Sequence, residues 1–132
     1  MKAVVFDFDG TLTHNSPNIW QSIWSSLGYA TDSQSYYFQL YKNFVNKEIT
    51  HKQWTHLTCE AFKEKGMHKE LLMELSKDIK LMDGFDETMQ ALKEKGVSLH
   101  IVSGNVTSVI KEVLKDKARY FDSINANTFL YD

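Results

Sequence analysis

Four apolar residues, Ala3-Val4-Val5-Phe6, run without a break into Asp7-Phe8-Asp9-Gly10-Thr11-Leu12-Thr13. A short apolar run rich in β-branched residues predicts a buried strand of a parallel sheet, with both faces covered. Ligands of open α/β sheets bind beyond the carboxyl ends of strands, so this strand delivers two carboxylates to where a site is expected. Alternation sends Asp7 and Asp9 to the same side of the chain and packs Phe8 away from them. Two adjacent like charges raise each other's proton affinity unless a cation compensates. A divalent metal would hold Asp7 ionised and offset the charge of an incoming phosphate. The competing reading is a plain turn in which Asp9 accepts backbone hydrogen bonds. The length of the motif and the strand ahead of it favour a catalytic reading of the pair.

Behind this motif the texture is helical. Ser16-Pro17 reads as an N-cap and first helical position, followed by Ile19, Trp20, Ile23, Trp24 and Leu27 at helical spacing. Tyr36, Tyr37, Leu40, Tyr41, Phe44 and Val45 repeat the stripe, and Thr50 with Gln53 forms a capping-box signature ahead of Trp54, Leu57, Ala61 and Phe62. Leu71, Leu72, Leu75 and Ile79 make a further stripe. Residues 16–81 are thus expected to form a small helical bundle. Core packing is the favoured role of its Trp and Tyr residues, with a pocket lining as the alternative.

From Asp83 the pattern becomes helix, strand, helix, strand: Phe85 to Leu92, then Val97 to Val102, then Val106 to Leu114, then Ser123 to Asn127. The fold class is therefore α/β, with a parallel sheet formed by residues 1–15 and 82–132 and an inserted helical cap at 16–81.

Composition narrows the function classes. With a net charge of −2 and no strongly basic segment, no nucleic-acid partner is expected. Cys59 is the one cysteine, so no intrachain disulfide can form; it is expected to be a small buried or half-buried side chain. No run approaches the ~20 apolar residues of a membrane span, and a cytoplasmic protein with no membrane partner is expected. The five histidines show no spacing that supports zinc.

Asp7-Phe8-Asp9-Gly10-Thr11-Leu12-Thr13 resembles the first motif of the haloacid dehalogenase superfamily of phosphatases, and Val102-Ser103-Gly104-Asn105 resembles its second. Order, spacing and the helical insert are similar to members with the smaller helical cap, such as phosphoserine-phosphatase-like enzymes. The resemblance implies a Rossmann-like core and a phosphomonoesterase acting on a small phosphorylated metabolite. Asp7 would form an aspartyl-phosphate, and Asp9 would protonate the leaving oxygen and later deprotonate the attacking water. It further implies Mg²⁺ as cofactor, bound at Asp7 and Asp9 through the Asp7 carboxylate and the Asp9 backbone carbonyl. Gly10, Thr11, Ser103, Gly104 and Asn105 would bind the phosphoryl group, the last two through amides at the start of a helix.

The family's third motif supplies a Lys or Arg, and its fourth supplies acidic metal ligands; neither has a counterpart within these 132 residues. Lys111, Lys115 and Lys117 are better read as a solvated face. Weak Mg²⁺ binding and little or no activity of this chain alone are the expectation. The strand carrying Asp7 would also present a bare edge, which predicts self-association. Two alternatives to the phosphatase are a non-catalytic protein that binds phosphate or a partner, and, more weakly, a phosphomutase.

Overall fold

A computed structural model describes residues 2–131. In chain order the elements are β1 (Ala3–Phe6), α1 (Ile19–Ser26), α2 (Tyr36–Val45), α3 (His51–Glu64), α4 (Lys69–Ser76), α5 (Phe85–Glu94), β2 (Ser98–Val106), α6 (Thr107–Leu114), a 3₁₀ helix (Lys115–Tyr120) and β3 (Ser123–Asn127). The chain divides into two compact units, Met1–Ile19 with Leu72–Asp132, and Trp20–Leu71.

In the first unit the strands form a parallel sheet of order β1-β2-β3. Val4 lies opposite Leu99 and Phe6 opposite Ile101, and Ile101 in turn lies opposite Ile124. These alternate residues point to one face, where they pack against Phe8, Leu12, Phe85, Met89, Ile110, Leu114 and Tyr120. Gly96, at φ 72, ends the α5 segment in the left-handed conformation that lets the chain turn into β2.

The other face is different, and so is β1. Val5 is 62% exposed and Val102 55% exposed, so β1 is covered on one face rather than two. Among the described residues β1 pairs with β2 alone. An apolar run cannot report how many layers flank it; among the described residues one layer does.

Two boundaries also move. The Ser16–Pro17 bond is cis and the helix opens at Ile19, so Pro17 is not its first residue. Val106 closes β2 instead of opening the next helix.

In the second unit Trp24 is the hub, with ring centroids of Tyr29 at 4.8 Å, Phe62 at 5.0 Å, Tyr36 at 5.9 Å and Tyr37 at 6.0 Å. Edge-on contacts of this kind add to the area that the rings bury. Phe44 stacks on Trp54 at 4.4 Å. The Thr50–Gln53 capping box is formed in both directions. Trp24, Leu40 and Phe62 are core, whereas Tyr36, Tyr41 and Val45 stay exposed, because α2 buries only the middle of its apolar stripe. Cys59 is exposed, contrary to expectation, because it falls off the Ala61–Phe62 side that α3 buries.

Candidate active site

β1 and β2 run parallel, so their carboxyl ends lie at the same edge of the sheet. That edge receives Asp7, Asp9, Gly10 and Thr11 from one strand and Ser103, Gly104 and Asn105 from the other.

The turn after β1 is built around the carbonyl of Phe8. It accepts from the amides of Thr11 (3.2 Å), Leu12 (2.9 Å) and Thr13 (3.2 Å). Phe8 itself is fully buried, which anchors the turn to the core and leaves Asp7 and Asp9 facing outward. Gly10 sits at φ 74, and a Cβ there would meet Asn15 Oδ1 at 2.1 Å, so the position admits glycine alone without strain. Thr13, 1% exposed, braces the turn: its hydroxyl donates to the Phe8 carbonyl (3.4 Å) and accepts from the Gly10 amide (3.3 Å). Sequence reasoning missed this brace. The available signal was a hydroxyl side chain three residues beyond a turn glycine, able to donate and accept at once.

An antiparallel seam then ties the turn to the returning chain. Thr13 bridges Leu81, the Met82 amide donates to the Leu12 carbonyl (2.8 Å), and the His14 amide donates to that of Lys80 (3.0 Å).

On β2 the second motif lies in an irregular stretch, where the register with β3 shifts between Val102 and Val106. The Asn105 amide is not at a helix start; it donates to Ser103 Oγ at 3.0 Å. The reason is that the strand runs on to Val106 before α6 begins. The Asn105 side chain is fully buried; its Nδ2 donates to Asp9 Oδ1 (2.9 Å) and its Oδ1 accepts from the Val106 amide (2.6 Å). From β3, Asn127 Nδ2 donates to the Gly104 carbonyl at 2.9 Å, and the Thr107 hydroxyl donates to the Asn127 carbonyl at 3.3 Å. Asn127 is a second brace that motif reading did not find.

The electrostatics follow from this packing. Partial burial strips water from the Asp9 carboxyl and raises its proton affinity above the ordinary aspartate range, the Asn105 hydrogen bond works against that, and the charge of Asp7 raises it further. Asp7 Oδ1 accepts from the Phe8 amide at 2.7 Å. The Asp7 carboxylate, a hard oxygen donor whose negative charge is felt at Asp9, fits Mg²⁺. Among the described residues no three His, Cys, Asp or Glu side chains converge on a metal position, so the fit is to a cation with few protein ligands.

The family model for haloacid dehalogenase-like hydrolases, in the hydrolase class, matches residues 1–131. No curated protein sequence matches the chain. Among solved structures, the phospho-aspartyl intermediate analogue of a phosphoserine phosphatase is similar with a TM-score of 0.70 at 20% identity, over 99% of this chain and 58% of that one. A hydrolase of the same family from Salmonella enterica serovar Typhi gives 0.66 at 20% identity, over 100% and 43%. One from Entamoeba histolytica gives 0.60 at 25% identity, over 100% and 64%. The chain therefore spans about three-fifths of the length of the phosphoserine phosphatase. The fold agrees with these neighbours, and the match over residues 1–131 places the chain in the haloacid dehalogenase-like hydrolases.

Proposed function

We propose that Asp7 and Asp9 are the front of a phosphomonoesterase site that acts on a small phosphorylated metabolite. The observation that carries this reading is the pair of carboxylates at the carboxyl end of β1, with Asp9 bonded to the second motif through Asn105. The Asp7 carboxylate attacks phosphorus and the bond to the leaving oxygen breaks, while Asp9 delivers a proton to that oxygen. Water then attacks phosphorus of the aspartyl-phosphate, the bond from the Asp7 oxygen to phosphorus breaks and restores the carboxylate, Asp9 takes the water's proton, and inorganic phosphate leaves. The Ser103 hydroxyl, which already accepts from the Asn105 amide, keeps its own proton for a phosphoryl oxygen. The Thr11 side chain and the exposed Gly104 complete the phosphate contacts.

Mg²⁺ would be held by Asp7 through its carboxylate and by Asp9 through its backbone carbonyl, and would neutralise charge on the phosphoryl group. Because no three His, Cys, Asp or Glu side chains converge among the described residues, weak metal binding and slow turnover are expected. The test is release of inorganic phosphate from p-nitrophenyl phosphate in Mg²⁺, against chelator and against Asp7→Asn. A slow release that both treatments abolish supports it, and a release that survives Asp7→Asn overturns it.

The edge of β1, which pairs with β2 alone among the described residues, supports a second proposal, association with another copy. Two β1 edges related by a twofold axis would pair antiparallel and bring the exposed Val5 side chains onto one continuous face. A reducing, cytoplasmic setting fits the exposed free thiol of Cys59. No helix among the described residues is long and apolar enough to cross a membrane.

A further inference from the structure

We infer that Asn105 is a positioning residue for Asp9, fixing by its buried side-chain amide which carboxyl oxygen faces the reacting group. The inference rests on the phosphoryl-transfer reading and gives the side chain a role separate from the phosphate contact expected of the same residue's backbone amide.

Asn105 is fully buried, and a buried primary amide is tolerated when its donors and acceptor are used. Its orientation is not arbitrary. The Val106 amide is a donor and requires the carbonyl oxygen at its end; the Asp9 carboxylate is an acceptor and requires the NH₂ at the other. A flipped amide would set two donors and two acceptors against each other. The Asn105 amide bond to Ser103 Oγ holds the residue from the main-chain side, and Asn127 holds the neighbouring Gly104. The donor aimed at Asp9 is thus locked at several points, while Asp9 is an exposed residue on a turn.

Because Oδ1 accepts from Asn105, Oδ2 is the oxygen left to carry the proton. In attack on an alkyl phosphomonoester the Asp7–phosphorus bond forms, the phosphorus–oxygen bond to the alkyl group breaks, and the Oδ2 proton passes to that oxygen. Attack on an acyl phosphate breaks the corresponding bond but releases a stable carboxylate, which needs no proton. A residue that aims Asp9 matters for the first donor and little for the second.

The experiment compares single-turnover phosphorylation of Asp7 by glycerol phosphate and by acetyl phosphate, read by mass spectrometry, in wild type and Asn105→Ala. General acid catalysis contributes on the order of a hundredfold or more, so Asn105→Ala is expected to slow labelling by glycerol phosphate at least about tenfold more than labelling by acetyl phosphate. In an Asp9→Asn background the same substitution should add no further donor selectivity. Equal slowing with both donors would show a merely structural role and overturn the inference alone. Absence of labelling of the wild type by either donor would remove the phosphoryl-transfer reading, and the inference with it. Should Asn105→Ala not fold, the side-chain amide resonances of Asn105 in wild type and Asp9→Ala decide: a shift on loss of the carboxyl supports the contact, and unchanged resonances overturn it.

Discussion

Asn105 Nδ2 donates to Asp9 Oδ1 at 2.9 Å, joining residues 96 apart in sequence across the carboxyl ends of two neighbouring parallel strands. This bond turns two separate motifs into one site. It is also a long-range contact whose closure entropy must be offset by the core beneath it. That core is led by Phe8, which lies between the two carboxylates in sequence and is fully buried in space.

Phe8→Ala removes the anchor of the turn. A buried Phe→Ala change typically costs about 3–5 kcal/mol, and the expected loss in denaturant unfolding is in that range. A loss below about 1 kcal/mol, the scale of an ordinary surface change, would show that Phe8 does not hold the turn.

Gly10→Ala forces a Cβ against Asn15 Oδ1 and a side chain into the left-handed region. The backbone alone costs roughly 1–2 kcal/mol, so urea unfolding should show at least that destabilisation. Gly28, also at positive φ but with open space around it, should give a smaller penalty on the same change.

Asp9 has a proton affinity raised above its unfolded value of about 3.9. A raised carboxyl penalises the folded state as pH rises from the unfolded value through the folded one, and the penalty is complete above the folded value. Asp9→Asn, which can still accept from Asn105, is therefore expected to raise the thermal midpoint at pH 7. The gain should shrink to nothing below about pH 3.9, which thermal melts across a pH series will show.

Asp122 has the opposite sign. Its Oδ2 accepts from the Leu99 amide at 2.9 Å, which with Lys93 and His100 nearby holds the carboxyl below the usual range. A lowered carboxyl stabilises the fold above its unfolded value and loses that contribution as pH falls through the folded one. Asp122→Asn should lower the thermal midpoint at neutral pH, with the difference disappearing in acid.

Val5→Lys changes an exposed side chain on the strand with the bare edge. Sedimentation of the wild type is expected to show concentration-dependent association that this variant lacks, with unchanged far-UV circular dichroism. A wild type that stays monomeric over a hundredfold concentration range removes the association proposal.

Much of this was legible from local pattern. The Thr50–Gln53 box and the strand Ser123–Asn127 both depend on nearest neighbours, and they form where the sequence places them. The one-sided exposure of Val5 was not legible, because the same β-branched run suits one covered face or two. Neither was the side-chain role of Asn105. Its motif reads as a loop opening a helix, but the irregular register with β3 carries the strand four residues further, from Val102 to Val106, and turns the amide inward. Thr13 and Asn127 escaped notice for a related reason: their partners are carbonyls and amides, which leave no signature in sequence.

In the proposed chemistry Asp7 accepts a phosphoryl group. Incubation with acetyl phosphate and Mg²⁺, followed by intact-mass and peptide mass spectrometry, tests it directly. The expected result is a single phosphoryl adduct on the peptide containing Asp7, absent from Asp7→Asn and retained in Thr11→Ala at a lower rate. An adduct that persists in Asp7→Asn, or no adduct on the wild type at saturating donor, would contradict it.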